Sequence, residues 1–285
     1  MKIAVTGPNG QLSSELVRKG AIPLRGILMS ERMTTNIEAI KPAAIINCAA
    51  MTDVDGCEKN ILQAAATNAV GVEYLSRRFH GYLIQISTDY VFDGQSGPYG
   101  VRDAPNPIGV YGWSKLGGEL VALRHRGPSL IIRTTILFSA TNNNFVAKIV
   151  QQLRGVGKVD LYNPEITGSP TYVPSLAAEI LRIVRAEYWG VAHIAGSPVA
   201  TRLEFARQIA QAFGYDSDRI VPNYEPLLGV APRPMKAGLI CDHNGYMTVN
   251  SHSYHDGLSE LSKQKGIYHE RPMERVAAGR PGSDK

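Results

Sequence analysis

The sequence predicts an α/β fold, a doubly wound parallel sheet followed by a smaller C-terminal lobe, and three observations point to it. Short apolar runs alternate with helix-length segments through the first half of the chain, the rhythm of right-handed βαβ crossovers. Residues 43–48 are apolar on both faces, as befits a strand covered by helices on either side. The first apolar run ends in a glycine-rich turn that opens a helix, the arrangement of a Rossmann-like sheet.

Taken in order, residues 2–6 read as a buried strand, Gly7-Pro8-Asn9-Gly10 as a tight turn and residues 11–19 as a helix. A weak second strand is expected within residues 22–29, then a short helix capped by Thr34 or Thr35 and ended before Pro42. After the strand at 43–48, residues 58–79 have helical spacing. Residues 82–87 repeat the strand signal, 110–125 the helix signal and 130–134 the strand signal. Beyond Phe138 the rhythm loosens. Helices are expected over 145–153, 175–187 and 201–213, a strand over 190–195 and turns over 162–174. From Tyr215 the chain is rich in Pro, Tyr and His, which predicts irregular segments capping the sheet.

Composition narrows the function. The 285 residues are 44% hydrophobic and 19% charged, which supports a packed core and excludes disorder over most of the length. The net charge of +5 comes from 30 basic and 25 acidic residues without a basic run of the kind that binds nucleic acid or lipid. Neither nucleic acid nor membrane is therefore an expected partner, whereas a mildly basic surface suits an anionic small molecule. The longest apolar stretches, 43–50 and 129–138, fall well short of the roughly 20 residues of a membrane span. Residues 1–6 run into Gly7 with no room for the apolar core of a secretory signal. Cys48, Cys57 and Cys241 form an odd, sparse set that reads as reduced thiols, so the expected compartment is cytoplasmic.

Chemistry concentrates in three motifs. Gly7-Pro8-Asn9-Gly10-Gln11-Leu12-Ser13 fits GxxGxxG with serine in the last small position. Between a strand and a helix, its first glycine permits the tight turn, its second lets backbone approach a pyrophosphate, and the helix N-terminus offers free N–H groups. Residues 1–138 are accordingly the expected dinucleotide-binding core. Tyr111-Gly112-Trp113-Ser114-Lys115 is the one YxxxK match among thirteen tyrosines. One helical turn places phenol and ammonium on the same face, where the cation would lower the tyrosine pKa toward neutral pH. A surface Tyr/Lys pair is the alternative, and a companion hydroxyl upstream speaks against it. That companion lies in Ser87-Thr88-Asp89-Tyr90-Val91-Phe92-Asp93-Gly94, at the C-terminal end of a central strand, where ligands bind in open α/β sheets.

With Asn47-Cys48-Ala49-Ala50, Asn68-Ala69-Val70-Gly71, Gly118-Glu119 and Arg133-Thr134 added, the set resembles the extended short-chain dehydrogenase/reductases. Within them it is most similar to the dTDP-4-dehydrorhamnose reductases, over residues 1 to about 239. The resemblance implies hydride transfer from NADPH, with NADH possible, to the C4 ketone of a nucleotide-diphospho 4-keto-6-deoxyhexose. It implies that Thr88 polarises the carbonyl, with Ser87 as the buried alternative. It implies that Tyr111 donates the proton and that Lys115 holds the cofactor ribose and tunes that tyrosine. Cofactor contacts are expected from the turn residues Gly7, Asn9, Gly10, Gln11 and Leu12, and are implied for Ala49, Ala50, Asn68, Ser87 and Lys115. Substrate contacts are implied for Tyr90, Asn144, Phe145 and Arg233, the last as a diphosphate clamp. Residues 139–270 are then the substrate-binding lobe, with returning sheet elements, and 271–285 a frayed tail.

Some positions depart from the family pattern. Arg133-Thr134-Thr135-Ile136 stands where the reductases read Arg-Thr-Ser-Trp, so the sugar loses an aromatic wall. Glu15 matches an acid linked to a metal at a dimer contact, but Pro174 replaces a second acid; a homodimer is possible and no metal is expected. Cys241, His243, His252 and His255 match no standard zinc spacing. Asp53, Asp55 and Glu58 suit either a cap for the following helix or an approach to substrate. Ser30-Glu31-Arg32 offers both acidic and basic recognition of a ribose, and Arg25 with Arg32 favours NADPH. Three rivals remain. A sugar-nucleotide 4,6-dehydratase would read Thr-Asp-Glu where this chain has Thr88-Asp89-Tyr90, a 4-epimerase shares the Thr/Tyr/Lys set, and a regulatory subunit like the methionine adenosyltransferase β subunit shares the scaffold.

Overall fold

The computed structural model describes residues 1–141, 144–227, 229–243, 249–264 and 268. Residues 271–285, expected to be a frayed tail, lie outside them. The first half alternates as expected: β1 (Ile3–Thr6), α1 (Gln11–Arg18), β2 (Ile22–Pro23), α2 (Glu31–Ile40), β3 (Ala44–Asn47), α3 (Val54–Lys59), α4 (Ile61–Ala65), a π-turn (Ala66–Val70), α5 (Gly71–Arg78), β4 (Tyr82–Thr88), α6 (Val110–Leu123) and β5 (Ser129–Thr134). Among the described residues the main sheet has seven strands. Its order is Asp242–His243, Gly190–His193, β5, β4, β3, β1, β2. Every pairing is parallel except that of Asp242–His243 with its neighbour. Strands β1, β3 and β4 are buried along their whole length, which is why they read as continuous apolar runs rather than alternating ones.

Beyond β5 come α7 (Phe145–Leu153), α8 (Val173–Arg185), α9 (Arg202–Ala212) and α10 (Tyr254–Ser262). Leu12 and Leu16 of α1 and Leu176, Ile180 and Ile183 of α8 cover one face of the sheet. Met33, Val72, Leu75 and Ala122 of α2, α5 and α6 cover the other. A separate cluster around Phe138, Val150, Phe205 and Leu258 ties α7, α9 and α10 together. No helix among the described residues is long and apolar enough to cross a membrane.

The structure corrects several local expectations. The helix expected to start at Thr34 or Thr35 begins at Glu31, because Ser30 Oγ accepts the Met33 N–H and caps it. The helical stretch 58–79 is segmented. It breaks at Asn60 and widens at the π-turn, where buried Asn68 turns its amide toward the loop after β3. The stretch after Tyr215, expected to be irregular, contains α10, whose buried Tyr254, Leu258 and Leu261 recur at helical spacing.

Two polar arrangements hold the sheet together under the site. At the C-terminal strand ends Thr6 donates to Asn47, Asn47 to Gln85 at 2.7 Å, and Gln85 to the Ile86 carbonyl at 3.0 Å, linking β1, β3 and β4. Arg133 on β5 grips Glu119 on α6 through two bonds of 2.9 and 2.7 Å, and the Ser87 hydroxyl donates to the same carboxylate. Both charged side chains are at most 5% exposed. Removing one partner leaves the other charge buried and alone. Glu119→Ala should therefore cost roughly 3–5 kcal/mol of unfolding free energy in a urea titration, whereas the apolar double replacement Glu119→Leu with Arg133→Met should recover most of it. A single variant as stable as the parent would show that water reaches the pair.

Candidate active site

The C-terminal edge of the sheet opens into a cleft of about 1020 Å³. At its floor the chain leaves β1 through Gly7, whose φ of +62° favours glycine. A Cβ there would stand 2.9 Å from the Ala49 Cα. Gly7 thus serves the approach of the turn to β3 as well as the turn itself. Ser13 donates to the Gly7 carbonyl and, at 3.0 Å, to that of Gly10, locking the turn onto α1. Gly10 caps α1 without a side-chain bond, so no capping side chain stands between the helix start and an anion.

Gly7, Asn9, Gly10, Gln11, Leu12, Arg32, Ala49, Ala50, Ser87 and Lys115 all line this cleft, and so does Arg25. Glu31, the competing acid, is not among the lining residues. Two expected contacts are engaged elsewhere. Asn68 is 1% exposed and does not line the cleft; its amide bonds the Met51 N–H and carbonyl and the Ser114 hydroxyl. It shapes the loop that carries Ala49 and Ala50. Ser87 lines the cleft, but its hydroxyl is committed to Glu119. The reverse case is Thr134. Its Oγ1 is buried without a hydrogen-bond partner and the residue lines the cleft. A buried polar atom left unpaired calls for an explanation, and a bound ligand supplies one. Glycine turn, open helix end, orphaned hydroxyl and paired arginines fit a dinucleotide.

At the far wall, Thr88 ends β4 while Tyr111 and Lys115 occupy successive turns of α6. Glu58 on α3 accepts the Val110 N–H at 2.8 Å and pins the start of that helix. Thr88 and Tyr111 line the same wall of the cleft. Lys115 is 4% exposed and donates to the Ile86 carbonyl at 2.7 Å. Burial lowers its ammonium to about 8, against the pull of Glu119 and Cys48. Tyr111 corrects an expectation. Its phenol is raised, not lowered: burial dominates, the nearby Thr88 hydroxyl opposes it, and Asp89 and Tyr90 add to it. Lys115 reaches a strand carbonyl instead of the phenol, so the tyrosine is held protonated, the state a proton donor requires.

A side pocket of about 200 Å³ adjoins, sharing Asp89, Tyr90, Thr135, Ile136 and Phe145 with the cleft. Tyr90 stands edge-on to Tyr111 at 5.5 Å. Phe145 stacks on Phe205. Arg233 lines the pocket, but its fork holds Asp55 at 2.9 and 3.0 Å and the Ala231 carbonyl at 2.9 Å. Asn144 is a cap: it accepts the Ala147 N–H at the start of α7 and donates to the Ser139 and Thr141 carbonyls. Its amide is thus largely occupied where substrate contact was implied. Sequence reading missed Arg202, whose guanidinium lies over the Phe145 ring at 5.3 Å and lines the same pocket. Its only signal was a cationic residue following the Thr201 cap.

The remaining candidates resolve into structure. Asp53 caps α3, Asp55 pairs with Arg233 and Glu58 anchors α6. Glu15 pairs with Arg18 and Lys19. The Cys241 thiol donates to the Ala195 carbonyl and accepts its N–H. Among the described residues no three His, Cys, Asp or Glu converge as a metal site.

The family model described as the RmlD substrate binding domain matches residues 1–266. The chain belongs to this family. The dTDP-4-dehydrorhamnose reductase of Mycobacterium tuberculosis is 38% identical to it over 241 residues, 78% of each chain. The structure of the Bacillus anthracis dTDP-4-dehydrorhamnose reductase in complex with NADP superposes with a TM-score of 0.83 at 28% identity, covering 92% of this chain and 99% of that one. Methionine adenosyltransferase 2 subunit beta of Danio rerio is 32% identical over 215 residues, 72% of this chain and 67% of its own.

Within the family frame the glycine turn offers a direct test. Gly7→Ala places a Cβ against the Ala49 backbone at positive φ, a strain of about 1–3 kcal/mol. It should lower the thermal midpoint and weaken dinucleotide binding together in a fluorescence titration. Unchanged affinity would show that the turn does not shape the site.

Proposed function

We propose that this chain is an NADPH-dependent reductase acting on the C4 ketone of a dTDP-linked 4-keto-6-deoxyhexose. The observation that carries the reading is the set of buried Thr88 and Lys115 and half-buried Tyr111 on one wall of a dinucleotide-shaped cleft. Reduced nicotinamide bound in that cleft supplies the hydride. The chain's own residues do the rest. Tyr111, kept protonated by burial, donates its phenolic proton to the carbonyl oxygen as negative charge develops there. Thr88 stands on the same wall with a second hydroxyl. Lys115, fixed to the Ile86 carbonyl, presents its remaining hydrogens to the ribose and to the proton path. Arg25 and Arg32 recognise the 2′-phosphate, and Arg202, over the Phe145 ring, the sugar diphosphate.

The similarity to a methionine adenosyltransferase subunit supports a second reading, a regulatory subunit that binds dinucleotide without turnover. The catalytic set alone does not separate the two. Mixing the purified protein with NADPH and a panel of nucleotide 4-keto sugars, and following nicotinamide absorbance, does. Oxidation with the dTDP sugar is expected; binding without oxidation across the panel would favour the subunit. A homodimer also belongs to this proposal. Ile61 and Leu62 on α4 and Trp113 and Leu120 on α6 are each half or more exposed, on helices that pack side by side, and light scattering reads the mass.

Tyr111→Phe should lower kcat by at least about 100-fold, the usual worth of a general acid, with NADPH affinity retained. A fully active variant would exclude Tyr111 as the donor. Replacing Arg25 and Arg32 together by Ala should weaken NADPH binding by at least about tenfold and leave NADH binding nearly unchanged, since each charge-assisted bond is worth about 1.5–3 kcal/mol. Ile136, at a φ of +43° between cleft and side pocket, should set sugar selectivity. Ile136→Trp should narrow the accepted panel, and an unaltered panel would reduce Ile136 to packing.

A further inference from the structure

The Thr88 hydroxyl has one hydrogen and two lone pairs, and the hydrogen and one lone pair are engaged within the chain. It donates to Asp89 Oδ1 at 3.2 Å and accepts the Tyr90 N–H at 3.2 Å. Its single hydrogen therefore points at a carboxylate and not at the cleft, where a substrate carbonyl needs a donor. Asp89 is 2% exposed, takes the Thr135 hydroxyl on its second oxygen at 2.7 Å, and lines both the cleft and the side pocket. Among the described residues no salt bridge neutralises it.

We propose that Asp89 is a positioning residue for Thr88 and acts in its protonated form. The neutral carboxyl donates its own hydrogen to Thr88 Oγ1, and the Thr88 hydrogen turns into the cleft toward the substrate carbonyl. With Asp89 ionised, Thr88 is an acceptor only on the cleft side and Tyr111 works without a second donor. This rests on the reductase reading above.

The surroundings make both forms accessible. Burial raises the Asp89 carboxyl to about 6, against the opposing bonds from Thr135 and Thr88. The groups facing it are the phenols of Tyr90 and of Tyr111 on α6, the Thr135 hydroxyl after β5, the Gly238 N–H, and across the shared pocket the guanidinium groups of Arg202 and Arg233. The two phenols are neutral, and Arg233 already pairs with Asp55, which leaves Arg202 as the cation across the pocket. A diphosphate bound beside Arg202 brings negative charge to the shared pocket and shifts Asp89 toward its neutral form. Substrate binding thus draws in the proton that turns Thr88. Asp89 keeps that proton through the turnover, and the proton added to the sugar comes from Tyr111.

The test compares kcat against pH for the parent and for Asp89→Asn, whose amide donates to Thr88 at every pH. The parent should lose kcat as pH rises through the Asp89 titration, approaching about tenfold per unit. The Asn variant should lack that limb and stay within about tenfold of the low-pH parent, while Asp89→Leu should be slow throughout. A second readout is independent of turnover. The Asp89 carboxyl band, isolated as parent minus Asp89→Asn in an infrared titration, should move to higher pH in Thr88→Val, because a donor to the carboxylate is lost. Retention of the parental limb in Asp89→Asn, or an unmoved carboxyl band in Thr88→Val, overturns the proposal. A coupled infrared titration in a protein that oxidises no NADPH with any sugar would count against the reductase reading alone.

Discussion

The site depends on how closely α6 lies against the end of β4. Two glycines of that helix set its approach, Gly112 to the end of β4 and Gly118 to the π-turn. A Cβ at Gly112 would stand 2.1 Å from the Tyr90 carbonyl oxygen, and one at Gly118 2.3 Å from that of Asn68. That approach puts Tyr111 on the same cleft wall as Thr88 and lets the Lys115 ammonium reach the Ile86 carbonyl. The Glu119–Arg133 grip and the Glu58 anchor hold the approach from behind and from the helix start. Packing at glycine, ionic restraint and catalytic geometry are here one arrangement.

Burial then decides protonation. The phenols of Tyr111 and Tyr90 are both raised, the ammonium of Lys115 is lowered, and the Asp89 carboxyl is raised. In each case the largest cause is removal from water. The wall is therefore poor in fixed charge and rich in transferable protons, which suits reduction of a ketone, where a proton must be delivered as an alkoxide forms. Permanent positive charge sits at the edges instead: Arg25 and Arg32 at one end, and at the other Arg202, beside an Arg233 already paired with Asp55. Those edges match the two phosphorylated ligands of the proposed reaction.

Much of this was legible in the sequence because it is local. Residues 2–19 show strand, turn and helix within one short stretch, and YxxxK shows a helical face by spacing alone. Helix α7 occupies the expected 145–153. What escaped is what depends on partners far along the chain. Arg233 meets Asp55 across 178 positions, so its occupation by a carboxylate was invisible and it read as a free clamp. Asn68 and Asn144 read as ligand contacts, because nothing local shows that one amide bonds the loop after β3 and the other caps a helix. The pKa of Tyr111 was expected in the wrong direction, since spacing places Lys115 beside it but only the fold aims the ammonium at Ile86. Helix α10 was hidden by composition, its apolar residues set among Ser, His and Gly.

The central claim is that this cleft moves hydride to a sugar carbon. The most direct measurement is deuterium transfer: NADPH labelled at one face of nicotinamide C4 is incubated with the protein and a dTDP-4-keto-6-deoxyhexose, and the product is read by NMR. The account predicts one deuterium at sugar C4, delivered from one nicotinamide face with a single product configuration. Product lacking deuterium at C4, or labelled cofactor recovered unchanged beside an altered sugar, would contradict it.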